Sequence, residues 1–374
     1  MKRYSKIIST VVKISLSVML FVNLVGCSSS EKRDVSDPHF FKFEYCDDGT
    51  AIVVDYAAEN KGAITIPSEV EYEYDAKTYS VTSIGENAFS GCSGLTSIEI
   101  PDSVTSIGER AFSGCSGLTS IEIPDSVTNI GFWAFEDCSG LTSIEIPDSV
   151  TSIDDAFQRC SGLISIKIPD SVTSIREAFS GCSGLTSIEI PDSVTRIGAW
   201  AFQNCSGLTS IEIPDSVTDI EDGAFRGCSG LTSIEIPDSV MRIEADAFRG
   251  CSGLTSIEIP DSVTYIRMGA FSGCSNLTSI EIPDGVEKIE TSTFEGCDRL
   301  GNVKLGSGVT SIEESAFVNC SRLRNVEIPG SIMNIDVSAF VDCSDLEKVT
   351  IGGVEVEMWY IETDSWKEFL RGSY

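Results

Sequence analysis

From about residue 83 onward the apolar positions follow one unit, repeated with little change. Take Leu118 to Leu141. Leu118, Ile121 and Ile123 fall on the inward positions of a short strand, while Ser120 and Glu122 fall outward, the alternation of a half-buried β-strand. Pro124 ends that strand because it has no N–H for a ladder. Asp125 and Ser126 make a turn. Val127 and Ile130 return to the core in a second extended stretch. Ala134 and Phe135 are expected to bury on the far side in a single helical turn. Cys138 follows, and Ser139-Gly140 turns the chain back to Leu141. Each unit thus carries inward apolar groups that it cannot bury alone, and stacked units bury them against one another.

The period is regular. Cysteines stand at 92, 115, 138, 160, 182, 205, 228, 251, 274, 297, 320 and 343, at intervals of 23 residues except for two of 22. The string Cys-Ser-Gly-Leu-Thr-Ser-Ile-Glu-Ile-Pro-Asp-Ser-Val recurs unchanged seven times, first at Cys92. A fixed period in this range with Leu-x-x-Ile-x-Ile is the mark of a leucine-rich repeat. The expected fold is therefore a solenoid of about 12 coils of 22–23 residues, with parallel short strands on one face and turns or single helical turns on the other. The 22-residue coils, at Ile153-Asp154-Asp155-Ala156 and Ile175-Arg176-Glu177-Ala178, lack one residue between Ile and Ala. Their strand side is full length, so the deletion is expected to tighten only the far-side loop.

Both ends depart from the unit. Phe40–Tyr45 and Thr50–Tyr56 read as a hairpin around Asp47-Asp48-Gly49. Ile64-Thr65-Ile66-Pro67 is a worn copy of Ile-Glu-Ile-Pro, and an 11-residue insertion precedes Val81. After Gly352, Trp359, Tyr360, Trp366, Phe369 and Leu370 are placed to cover the last coil. Residues 1–26 read as a signal peptide: a basic start, an apolar run from Ile14 to Val25 too short to span a membrane, then Leu24-Val25-Gly26-Cys27. The organisation expected is 1–26 leader, 27–39 tether, 40–82 amino-terminal cap, 83–351 solenoid and 352–374 carboxy-terminal cap.

Val-Thr-Ser-Ile-Gly, Ala-Phe and Cys-Ser-x-Leu after Ile-x-Ile-Pro resemble the BspA-like, or treponemal, class of leucine-rich repeat, from about Ile64 to Ile351. Leu24-Val25-Gly26-Cys27 resembles the lipobox of bacterial lipoproteins; a plain secretory peptide with an incidental cysteine is the alternative. The resemblances imply a protein of the bacterial cell envelope, lipid-anchored on Cys27. They also imply a surface role such as adhesion to host matrix proteins or to neighbouring cells, through a protein or glycan ligand. A structural spacer or coat is the other reading that the monotony of the repeats allows.

Charge narrows the partners. The chain carries −31, and loss of Lys2, Arg3, Lys6 and Lys13 with the leader takes it to −35. Such a surface repels nucleic acid and anionic lipid and favours cations and basic partners. Much of the charge falls in columns. Glu99, Glu122, Glu145, Glu189, Glu212, Glu235, Glu258, Glu281 and Glu327 share one outward strand position, interrupted by Lys167 and Lys304. Glu189, Glu212, Glu235 and Glu258 sit on four consecutive coils with no lysine between them. They are either a ligand strip, for a basic partner or weakly held calcium, or a solvated face. Trp133 and Trp200 share a second, divergent column, and Tyr265 stands in a third; exposed aromatics make good contacts, and drift in a solvent-facing loop is the alternative. One cysteine per coil gives a ladder without pairs, so buried free thiols are expected before disulfides or metal. Cys46, outside the ladder, is expected to be the reactive thiol. The lone histidine, His39, and the absence of a triad, phosphate loop or isolated acid pair leave no enzyme signature and imply no cofactor.

Overall fold

The computed structural model describes residues 41–56, 62–72, 76–363 and 365–371. Cys27, His39 and the leader and tether lie outside the described residues. The repeat builds a β-solenoid whose coils have three sides. The first ladder is formed by the Ser-Ile-Glu-Ile segments, which pair in parallel and in register, as in Ser97↔Ser120 and Ile98↔Ile121, or Ser279↔Asn302 through Ile282↔Leu305. The second ladder is formed by the Val-Thr-x-Ile segments, as in Ser83↔Ser106 and Ile84↔Ile107. The third side carries Ala-Phe and is a run of turns, with no helix.

That third side corrects the helical expectation. Every coil places the residue before Cys in the left-handed region, and every coil but the last also the residue two before Phe, for example Arg110 (φ 52°) and Gly114 (φ 74°), or Trp200 (φ 52°) and Asn204 (φ 58°). Alternating handedness turns the backbone amides along the solenoid axis instead of along a helix. They then bond the next coil: Phe89 N–H donates to the Ala111 carbonyl at 2.7 Å and Gly91 N–H to the Ser113 carbonyl at 2.7 Å. The turn side is thus a third inter-coil ladder, which satisfies backbone groups that a short helix would leave open.

The core is one continuous column. Phe89 through Phe340, twelve rings, stack nearly parallel with centroids 5.1–6.0 Å apart. Cys115 through Cys343 stand beside them as free, buried thiols. Each donates its S–H to the phenylalanine carbonyl of the preceding coil, from Cys115 to Phe89 (3.1 Å) to Cys343 to Phe317 (3.0 Å). The cysteines therefore do more than fill volume, because they add a weak second donor to a carbonyl that already accepts the cysteine N–H of its own coil, as Phe89 does from Cys92 at 3.1 Å. Burial pushes their acidity down: Cys182, Cys228 and Cys297 rise to about 12. The repeated serine has a similar duty. Ser103, Ser126 and Ser216 donate Oγ–H to the Val81, Val104 and Val194 carbonyls at 2.6–2.8 Å.

The caps follow from the same logic. β1 (Phe41–Tyr45) and β2 (Thr50–Tyr56) form an antiparallel hairpin. Phe41 and Tyr56 close over Phe89 at 6.2 and 5.4 Å. β3 (Gly62–Thr65) starts the first ladder. The insertion is a second hairpin, in which β4 (Glu69–Tyr72) pairs with β5 (Lys77–Ile84). Cys46, expected to be reactive, is buried and engaged in a disulfide; the ladder cysteines are all free. At the other end α1 (Met358–Glu362) and α2 (Trp366–Leu370) bury Met358, Ile361 and Trp366. Trp359, expected to cover the coil, is half exposed and stacked on Tyr360 at 3.8 Å.

The two short coils keep the first ladder, through Glu145↔Lys167 and Lys167↔Glu189. Their deletion reaches further than the far-side loop, however. The second ladder shrinks there to one bridge, Ser152↔Ser174, between the sheet that ends at Asn129–Ile130 and the sheet that begins at Arg196–Ile197. The turn that follows keeps its inter-coil register, with Asp155 N–H donating to the Arg176 carbonyl and Phe157 N–H to that of Ala178, and Asp155, left-handed (φ 60°) like Arg110 and Trp133, is buried.

Candidate functional site

The predicted site residues fall on three different sides of the coil. Glu189, Glu212, Glu235 and Glu258 are exposed on the first ladder. Shallow depressions run along this side, one lined by Glu212, Asp215, Glu235 and Asp238, its neighbour by Glu189, Asp192 and Glu212. Of the two lysines that enter the column, Lys304 bonds Glu281. Among the described residues no group of three or more His, Cys, Asp or Glu side chains is placed to hold a metal ion.

Tyr265 lies on the second ladder, 45% exposed. Its ring stands between two guanidinium groups, Arg242 at 5.3 Å and Arg267 at 5.0 Å. These belong to a chain of ion pairs that crosses coils: Arg196 to Asp219 (3.6 Å), Arg242 to Asp219 (3.8 Å), Arg267 to Glu244 (3.6 Å) and to Glu290 (3.0 Å). Met241 and Met268 are exposed beside it. Arg, Tyr and Met are the side chains that protein interfaces concentrate.

Trp133 and Trp200 do share a column on the turn side, as expected, but they are not equivalent. Arg110 lies over the Trp133 ring at 4.3 Å, and Phe132 stands 6.0 Å away. Trp200 is 38% exposed and, among the described residues, no ring or cation lies against it.

One group was missed by sequence reading. Asp155 is almost fully buried in the first short coil. Arg176 Nη2 meets its carboxylate at 2.6 Å and Gln158 Nε2 donates to it at 2.9 Å, while Gln158 also donates to Glu177 at 3.1 Å. Burial raises Asp155 to about 6; Arg176 pulls against that and Glu177 adds to it. The missing residue before Ala156 was the available signal, since a shortened turn must carry its polar side chain somewhere.

Comparison with known proteins places this architecture. Six copies of the BspA type leucine rich repeat region match the chain, over residues 76–177, 154–276 and 242–363. A leucine rich cell surface protein from Faecalibacterium prausnitzii is similar at 31% identity, over 91% of this chain and 98% of that one, with a TM-score of 0.61. The pneumococcal vaccine antigen PcpA shares the fold at 18% identity, over 86% of this chain and 93% of its own, with a TM-score of 0.57. A leucine-rich repeat protein from Eubacterium ventriosum shares it at 22% identity, over 86% and 95%, with a TM-score of 0.53. No curated protein matches by sequence. With the family matched across most of the chain and the coil geometry in agreement, the chain belongs to the BspA-type leucine-rich-repeat family.

Proposed function

We propose that this chain is an exported surface protein, lipid-anchored through Cys27, that binds a protein or glycan of a host or neighbouring cell through the divergent sides of its solenoid. The observation that carries the reading is the separation of repeated from divergent residues. Cys, Ser, Thr and Phe of the repeat have inter-coil duties, and the first ladder repeats one acidic face. Between residues 183 and 275 divergence is confined to the second ladder and the turn side, and there the substitutions are rich in contact residues. Between residues 183 and 290 all six cations, Arg196, Arg226, Arg242, Arg249, Arg267 and Lys288, lie on those sides, with Trp200, Met241, Tyr265 and Met268. A spacer would need no such company. Its similarity to a cell surface protein supports display outside the cell.

On this reading Glu189, Glu212, Glu235 and Glu258 supply a solvated acidic surface. It attracts basic partners, holds calcium at most weakly and keeps nucleic acid away. Trp200 and Tyr265 are the proposed contacts, and Trp133 a supporting residue held under Arg110.

The test is capture by the detergent-extracted full chain from matrix proteins and glycans. A specific, saturable ligand is expected. Capture of nothing above a scrambled-coil control would favour the spacer. For the anchor, Cys27→Ala should move the protein to the soluble fraction and remove fatty-acid labelling; unchanged membrane retention would refute it.

A further inference from the structure

We propose that Trp200 and the turn surface beside it form a platform for a neutral saccharide. The proposal rests on the surface-binding reading and names a ligand class for it.

Trp200 is left-handed (φ 52°), as Arg110, Trp133 and Glu177 are at the same position of earlier coils, whereas the coils beyond it place Gly223, Asp246 and Gly269 there, residue types that adopt this conformation readily. The next coil makes room for the ring. At Gly223 a Cβ would stand 2.5 Å from Trp200 Cδ1 and 2.7 Å from Nε1, so the indole is seated on glycine backbone. Its other side is open. Trp133 shows the opposite case, with Arg110 lying on its ring.

The surroundings select the ligand. One coil beyond Gly223, Asp246 is clamped by Arg226 Nη1 at 3.0 Å and Arg249 Nη1 at 3.3 Å. Asp222 spends one oxygen on the Ala245 N–H at 3.1 Å. Nearer the ring, Glu221 accepts from the Ala199 N–H at 3.1 Å and faces Arg196 at 3.7 Å, so three guanidinium groups and three carboxylates cancel locally, on a chain of −31. No ion is favoured by this neighbourhood, and an anion is repelled by the whole. What remains is a flat apolar face beside donors and acceptors with unused capacity, since each guanidinium has five N–H groups and each carboxylate about four lone-pair sites. No cavity lies beneath the ring for an apolar side chain to enter, because Gly223 closes it. A pyranose fits: its C–H face stacks on the indole and its hydroxyls meet Asp and Arg. A shallow site of this kind binds weakly alone and gains from many copies on one surface.

The experiment is native electrophoresis of the full chain in detergent, through gels holding a neutral polysaccharide: mannan, xyloglucan or β-glucan. Retardation is expected in at least one. Trp200→Ala should lose it at least tenfold, Trp200→Phe should keep part of it, and Trp359→Ala, at an exposed tryptophan of the carboxy-terminal cap, should match the parent. Circular dichroism and Tm should show each variant folded. Equal retardation of the Trp200→Ala protein would overturn the platform. No retardation in any gel, from a chain that still captures matrix proteins, would overturn the saccharide and leave the surface-binding reading standing. Failure of both captures would remove both. Retardation only by an anionic polysaccharide would also contradict the proposal.

Discussion

The first ladder and the turn side of the same coils differ in what they let vary. Along the first ladder Ser-Ile-Glu-Ile recurs almost unchanged, and its outward glutamates have few partners. Along the turn side one column holds Asn87, Arg110, Trp133, Asp155, Glu177, Trp200, Gly223 and Asp246. Yet the turn side makes as many inter-coil backbone bonds as a ladder does. Freedom to vary is therefore not a sign of looseness. The turn side is fixed through its backbone and leaves its outward side chains to chance or to selection. The difference teaches that repetition in such a chain marks structural duty, and that contact residues are to be sought where the repeat diverges.

The contrast can be broken most severely in the core that both sides share. Phe202→Ala should cost about 3–5 kcal/mol, as for other buried aromatics. The loss should be largest in mid-stack and smaller beside the caps. A thermal midpoint equal to that of the parent would show that the phenylalanine column does not hold the coils.

The turn side's hidden acid comes next. Asp155 titrates near 6 in the folded chain against 3.8 when unfolded. A raised carboxyl binds its proton more tightly in the folded state, so its contribution is full below about pH 4 and is lost as pH rises to about 6. The loss is of the order of 2–3 kcal/mol at 1.36 kcal/mol per pH unit. Chemical denaturation between pH 4 and 7 should show it, and Asp155→Asn should flatten that part of the curve. A variant with the parent's pH dependence would move the effect elsewhere.

The thiol ladder should cost about 1 kcal/mol per lost S–H···O=C contact. Cys228→Val, which keeps an apolar group there, isolates that term. Thiol titration of native protein should find almost no reactive groups, and unfolding should expose the 12 of the ladder. Ready alkylation of the folded chain would contradict the burial.

The smallest effect belongs to the acidic face. Two carboxylates about 5 Å apart repel by about 0.8 kcal/mol in water-like dielectric, less in salt. Changing Glu189, Glu212, Glu235 and Glu258 together to Gln should stabilise slightly, by less as salt is added. Destabilisation would reveal partners for these carboxylates.

The solenoid, its period, the inward set and both cap positions were legible because apolar spacing and Pro-Asp turns speak locally. The duties of Cys115 or Ser103 were not, since their partners sit in the previous coil, 22 to 26 residues away. The sequence left turns and single helical turns both open on this side, because Ala-Phe fits either and nothing in Arg110 or Trp133 announces positive φ. The sequence offers candidate contacts both in the acidic column and in the divergent columns. That Trp133 lies under Arg110 while Trp200 stays open depends on which neighbour follows, and only the stacked coils show it. The disulfide at Cys46 likewise needed the fold.

The central claim is that ligand contacts lie on the divergent sides and not on the acidic ladder. The direct measurement is equilibrium binding of the captured ligand by two variants, the fourfold Glu-to-Gln chain and Trp200→Ala with Tyr265→Ala. Binding kept within about twofold by the first and lost at least tenfold by the second is the predicted result. Loss in the first with binding kept in the second would contradict it.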